Sequence, residues 1–197
     1  MTTSVPAPRA PAVVAAVGGC AALLLRPVLL ADLSHPALVL AVLFGALAVV
    51  GLTWPFSPHP SRLLAGEFRQ VELSGQKSWR LVLVVGVAAF TVGRFVAGGH
   101  PPTDEIGVAV LGNTLAAVAE EAFFRRFLYG VLAPYGAGVA IGVTAVAFAA
   151  VHVTVYGAWV LPIDLAAGAL LSWQRWATGS WTVPAATHVI ANLLVVM

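Results

Sequence analysis

The stretch Asn113–Arg126, NTLAAVAEEAFFRR, decides how the rest of the sequence is interpreted, because it sets two glutamates and two arginines inside apolar sequence. An ionisable side chain at the centre of a membrane helix costs roughly 2.5–3.5 kcal/mol, so four unpaired ones would cost on the order of 10 kcal/mol. A helix surrounded by lipid could not carry that cost. The stretch therefore predicts a polar interior faced by Glu120, Glu121, Arg125 and Arg126.

The composition of the whole chain is that of an integral membrane protein. Of its 197 residues, 60% are hydrophobic and 9% are charged, whereas a soluble domain carries about 25% charged residues. The net charge of +2 is small and the basic residues are scattered. We therefore expect a lipid bilayer as the environment and no nucleic-acid partner.

Apolar runs of about 17–25 residues can cross a bilayer as helices. The sequence has such runs at 11–31, 37–54, 80–98, 106–132, 137–156, 158–176 and 181–197. It therefore predicts an all-α, polytopic bundle of about seven transmembrane helices around an intramembrane polar cavity. We divide it into residues 1–79, with a tail, two helices and an amphipathic loop, and residues 80–197, a helix bundle with the polar motifs.

Basic residues predict the orientation of the bundle, because cytoplasmic loops are enriched in lysine and arginine. Placing the loop 55–79 in the cytoplasm also puts Arg9, Arg125, Arg126 and Arg175 on or near that side. We therefore expect a multi-pass protein with a cytoplasmic amino terminus.

The two adjacent glutamates are predicted to have different surroundings. Glu121 and Arg125 are four residues apart, so they share a helix face and can form an ion pair. Glu120 is turned about 100° away and can point elsewhere. The split leaves one carboxylate held by an arginine and the other able to act as a general base. The alternative is that both glutamates only pair with Arg125 and Arg126.

Two later apolar stretches carry further polar side chains. FAAVH at 148–152 places Phe148 one turn before His152, and HVIAN at 188–192 places His188 and Asn192 on one helix face. Either stretch alone is typical of helix-to-helix hydrogen bonding. Together with a glutamate they would suit peptide hydrolysis, in which a base removes a proton from water and other groups stabilise the oxyanion. The chain has neither a GxSxG nor an HExxH motif.

These residues resemble a known family. EEAFFR at 120–125, FAAVH at 148–152 and HVIAN at 188–192 match the EExxxR, FxxxH and HxxxN motifs of the CPBP family, the type II CAAX prenyl endopeptidases and their bacterial relatives, also called Abi. Each motif is weak alone, but the three in this order within apolar helices are specific. The resemblance covers roughly residues 80–197.

The resemblance implies an intramembrane glutamate protease, expected in a bacterial cell membrane. By position, Glu120 would activate water and His152 would help to hold it, while His188 and Asn192 would form the oxyanion hole. The supporting residues would be Glu121, Arg125 and Phe148. The substrate would be a membrane-associated peptide or protein, with or without a lipid, and no cofactor or metal is expected.

Two other functions remain open at the level of sequence. Glu120, His152 and His188 could be the ligands of a zinc-dependent membrane protease. Alternatively, the protein could be a non-enzymatic membrane protein, such as a bacteriocin immunity factor or a scaffold. Asp164 is a further acid within an apolar run and could contact substrate or pair with Arg94 or a histidine. Asn113 lies seven residues before Glu120 and could hydrogen-bond it.

Overall fold

The chain is described as a computed structural model, which covers residues 10–31, 35–55, 75–97 and 106–196 and, for 75–77, 94, 96, 97, 195 and 196, only the backbone. Within these ranges the regular structure is entirely helical. The α-helices are α1 Ala10–Leu24, α2 Arg26–Ala31, α3 Pro36–Thr53, α4 Gly75–Ala97, α5 Ile106–Glu121, α6 Tyr129–Leu132, α7 Ala137–Tyr156, α8 Leu161–Thr178 and α9 Thr182–Val196. A π-helical segment, Ala122–Leu128, joins α5 to α6, and 3₁₀ turns lie at Ala133–Tyr135 and Ala158–Val160.

The helix formed by α5 and the π segment is the centre of the bundle. Helix α3 packs against both parts of it, and α9 packs along α5. Helices α7 and α8 form an antiparallel hairpin that closes another side, and α4 packs against α8 and α9. A buried apolar cluster joins α1, α3, the π segment and α7; it comprises Leu23, Leu47, Phe123, Phe124, Phe127, Leu128, Phe148 and Val151.

The all-helical membrane architecture predicted from the sequence is confirmed. By length and composition, Pro36–Thr53, Ile106–Tyr135 and Ala137–Tyr156 are able to cross a membrane. Shorter apolar helices occur at Ala10–Leu24, Ser78–Gly93 and Thr182–Leu194. Helices suit this setting because they satisfy their backbone hydrogen bonds internally. The predicted amphipathic loop falls largely on 56–74, outside the described residues, and the orientation remains a prediction.

Polar side chains tie the helices together inside the bundle. Gln174 on α8 donates through Nε2 to the carbonyl of Val82 on α4, at 2.9 Å, and to Thr187 Oγ1 on α9, at 3.0 Å. The hydroxyls of Thr144 and Ser172 lie 2.9 Å apart between α7 and α8. In apolar surroundings such hydrogen bonds help to fix which helix faces meet. They therefore help to fix how the helices that carry the polar site are positioned along one another.

The π segment is a feature that sequence periodicity did not predict. It starts directly after Glu121 and contains both arginines of the central motif. The segment is wider than an α-helix, and short π segments within helices are frequent at functional sites. Despite this change of geometry, Glu121 and Arg125 meet as the spacing of four residues predicts.

Helix α3 approaches the π segment most closely at Gly51. A Cβ added to Gly51 would overlap the backbone carbonyl of Ala122, which cannot move aside as a flexible side chain could. We expect Gly51→Ala to lower the free energy of unfolding by about 1–3 kcal/mol. Thermal unfolding in detergent micelles would measure this. Gly45→Ala is the matched control, because no atom lies within 4 Å of a Cβ there; equal unfolding temperatures for the two variants would contradict the prediction.

Candidate active site

A buried charge cluster lies where α5 meets the π segment and α9. Arg125 Nη1 donates to Glu121 Oε1 at 2.9 Å, and both side chains are 0% exposed. His188 Nδ1 also lies 2.9 Å from Glu121 Oε1. Because a carboxylate oxygen accepts hydrogen bonds, His188 Nδ1 carries the proton in this contact. Glu121 therefore receives two donors from different helices.

The second guanidinium nitrogen of Arg125 extends the cluster to α8. Arg125 Nη2 donates to the backbone carbonyl of Gly168 at 3.3 Å. Helices α7 and α8 are also close here, because a Cβ on Gly168 would lie 3.0 Å from Ala145 Cα. Sequence analysis did not identify Gly168; a backbone acceptor leaves no signal in side-chain patterns. Arg125 is thus held by two helices.

The ring of Phe148 occupies the centre of the site. Its centroid lies 4.4 Å from the Arg125 guanidinium carbon, which stacks on the ring. The His152 ring lies 4.4 Å away and the His188 ring 5.7 Å away, the latter edge-on. Arginine over an aromatic face is a favourable cation–π arrangement. Phe148 therefore contacts residues from all three motifs.

The Glu120 carboxylate lies close to His152. Glu120 Oε2 and His152 Nε2 lie 3.8 Å apart, which is too long for a direct hydrogen bond. His152 Nδ1 lies 2.7 Å from the carbonyl oxygen of Phe148. A carbonyl can only accept, so Nδ1 carries a proton and, in the neutral ring, Nε2 offers a lone pair toward Glu120. Tyr156, which the sequence did not single out, stacks on His152 with centroids 6.1 Å apart.

Asn192 is anchored to α5. Its Nδ2 donates to the backbone carbonyl of Asn113 at 3.2 Å. The sequence left open whether the Asn113 side chain bonds Glu120 or takes part in helix packing; the backbone oxygen of Asn113 makes this contact between α5 and α9. Asn192 lies one turn beyond His188 on α9, and its amide has a second N–H to donate.

Two further arginines tie the π segment to neighbouring helices. Arg126 Nη1 donates to the carbonyl of Gly51 on α3. Arg175 Nε on α8 donates to the carbonyl of Arg125 at 3.1 Å and its guanidinium lies over the ring of Tyr129. Glutamate partners for both Arg125 and Arg126 were the alternative considered from sequence. In the described contacts Arg125 pairs with Glu121, whereas Arg126 reaches a backbone oxygen.

The site thus has two halves near Phe148. One half contains Glu121, Arg125 and His188 in direct contact, and the other contains Glu120 and His152 with a gap between them. Across the residues that the structure describes, no three His, Cys, Asp or Glu side chains are grouped as metal ligands. Such an arrangement can bind and polarise a small molecule between a carboxylate and an imidazole, beside a fixed charge network.

Comparison with known proteins finds a family match in the carboxy-terminal part of the chain. Residues 102–194 match the family model described as Rce1-like, type II CAAX prenyl endopeptidase Rce1-like. The matched range includes all three motifs, so the resemblance noted from the sequence is confirmed. No curated protein and no solved structure matches the chain.

Proposed function

Residues 102–194 match the Rce1-like family of type II CAAX prenyl endopeptidases, and we propose that this protein is an intramembrane endopeptidase in which Glu120 activates water. The family supports a membrane endopeptidase in general. The catalytic assignment is carried by one observation: the 3.8 Å gap between Glu120 Oε2 and His152 Nε2. That gap fits a single bridging water molecule.

In the proposed first step, the water donates one hydrogen bond to Glu120 Oε2 and the other to His152 Nε2. His152 Nε2 is available as an acceptor because His152 bonds the Phe148 carbonyl through Nδ1. A water about 2.8 Å from each atom satisfies normal hydrogen-bond distances. Glu120 then takes a proton as the water oxygen attacks the scissile carbonyl carbon, while His152 keeps the water oriented.

The second step requires donors for the oxyanion that forms on the carbonyl oxygen. His188 is held through Nδ1 by Glu121, and we propose that its other ring nitrogen, Nε2, faces the oxyanion. Asn192 supplies its second amide N–H. Preorganised donors of this kind are among the strongest contributions to acyl-transfer catalysis.

Collapse of the tetrahedral intermediate completes hydrolysis. The carbon–nitrogen bond breaks as the oxyanion reforms a carbonyl, and the leaving amine takes the proton that Glu120 received from water. The products are a carboxylic acid and an amine, so the atoms of one water are consumed without a cofactor. Glu121 and Arg125 act as a positioning pair that holds His188 rather than as groups that touch the substrate.

We propose a membrane-associated peptide or protein as the substrate. The helices that surround the site expose apolar side chains outward, for example Leu111 and Leu115 on α5 and Val146 on α7. A substrate reaching this site would therefore approach through or along the bilayer. Lipidation of the substrate is compatible with such a path, and the chemistry of the cluster acts on the peptide bond in either case.

The test is a comparison of membrane-protein termini in cells that contain the wild-type protein or the Glu120→Ala variant. We expect new amino and carboxyl termini of at least one membrane-associated protein to be present in wild-type cells and lost in the variant. Immunoblotting would confirm equal amounts of both proteins in the membrane. Identical sets of termini in the two strains would contradict the proposal.

A further inference from the structure

Asp164 is an acid in the first turn of α8 that the mechanism above does not use. Its Oδ2 atom is buried and has no hydrogen-bond partner. Burying a carboxylate oxygen without a partner is costly, because the charge loses water and gains nothing in return. The neighbouring Ile163 and Leu165 are apolar and exposed on the outer surface. Asp164 is therefore a polar residue between two apolar neighbours in this turn of α8.

The register of the α7–α8 hairpin places Asp164 opposite His152. The hydrogen bond between Thr144 and Ser172 pairs the two antiparallel helices at one level. His152 is eight residues beyond Thr144, and Asp164 is eight residues before Ser172. Eight residues correspond to about 12 Å along each helix in the same direction. His152 and Asp164 therefore reach the same level of the bundle.

Electrostatics agree with this placement. The charges that act on Asp164 are those of His152, Glu120 and His188, with His152 the strongest. These are the residues to which we assign water activation and oxyanion binding. Asp164 consequently belongs to the half of the site that contains Glu120 and His152.

Asp164 lacks the direct charge compensation that Glu121 has. Glu121 is compensated by Arg125 and His188, whereas Asp164 Oδ2 has no hydrogen-bond partner among the described residues. The charges of His152 and His188 act on Asp164 without a hydrogen bond to that oxygen. A cation brought by a ligand would supply a direct partner, since an opposite charge beside a poorly solvated carboxylate is strongly favourable.

We propose that Asp164 is a specificity-determining residue that binds a cationic side chain, lysine or arginine, of the peptide substrate near the scissile bond. This inference rests on the proposed function. Because Asp164 lies level with His152, the bound cation would be within roughly two residues of the cleaved bond, at about 3.3–3.6 Å per extended residue. Asp164 would orient the peptide and add nothing to the chemical step.

Binding of synthetic peptides to the protein in lipid nanodiscs tests the proposal without requiring turnover. Each probe is an acylated, fluorescent peptide with lysine at one scanned position, matched to a peptide with neutral norleucine there. A hydrogen-bonded charge pair favours the lysine peptide by about 10- to 100-fold in Kd at the correct position. Fluorescence anisotropy measures both constants on the wild-type protein; equal affinities at every position would overturn the proposal.

Variants at Asp164 then test whether this residue causes the preference for the lysine peptide. Asp164→Asn keeps the shape and should remove the preference for lysine while leaving norleucine binding unchanged, and Asp164→Glu should retain much of it. An equal loss for both peptides in Asp164→Asn would overturn the proposal by indicating a structural role. The two proposals can fail independently. The protease assignment is tested by cleavage and its dependence on Glu120, whereas the role of Asp164 is tested by peptide binding alone.

Discussion

Replacing Glu120 by glutamine should lower the rate of peptide hydrolysis by about 10²- to 10⁴-fold, the usual contribution of a general base. Glutamine has nearly the same shape, but its amide cannot accept the proton from water. The contact that holds His152, from Nδ1 to the Phe148 carbonyl, does not involve Glu120 and should persist. The measurement is kcat for a fluorogenic peptide that spans a cleavage site identified from the cellular comparison.

The control for this variant is its thermal unfolding, which should match that of the wild-type protein within a few degrees. Wild-type activity should also persist in the presence of a metal chelator, because the proposed base acts on water without a metal. Substantial residual hydrolysis by Glu120→Gln would refute its role as the base. Stoichiometric zinc in the purified protein, with activity lost on chelation, would instead favour the metalloprotease alternative.

Arg125→Ala should have the largest effect on stability, because it leaves the Glu121 carboxylate buried without its guanidinium. Breaking a buried ion pair by removing one partner typically costs about 3–5 kcal/mol. The change also removes the group stacked on Phe148. Unfolding in detergent with added denaturant measures the loss. The matched control is Arg80→Ala, since Arg80 is an exposed arginine that stacks on an aromatic ring, that of Trp79.

A double variant separates the contribution of this ion pair to stability from its contribution to positioning His188. Glu121→Leu combined with Arg125→Met replaces both charges by apolar side chains, and such replacements are often neutral or stabilising. We expect it to unfold at a higher temperature than Arg125→Ala. Hydrolysis should nevertheless remain low, because His188 loses the carboxylate that orients it. Full activity in the double variant would contradict the positioning role.

The local part of the site could be predicted from the sequence, because it depends on helical spacing. The four-residue separation of Glu121 and Arg125 predicted their contact, and Phe148 was placed on the face of His152; both contacts occur. The helical class followed from the same apolar runs. These inferences require only the geometry of one helix at a time.

The contacts between helices could not be predicted in the same way. Nothing in the spacing indicates that His188 bonds Glu121 rather than Glu120, because the choice depends on how α9 is rotated against α5. The closeness of α7 and α8 at Gly168 similarly depends on packing.

The bond from Arg126 to the carbonyl of Gly51 has a consequence for where the folding unit ends. Gly51 lies outside residues 102–194, the range that carries every motif, and so does Val82, whose carbonyl accepts from Gln174. A fragment limited to the motif-bearing range would leave a guanidinium and an amide without these acceptors in hydrocarbon. The motif-free helices α3 and α4 thus complete the polar interior, and the motif-bearing range depends on them for its hydrogen-bond acceptors within the membrane.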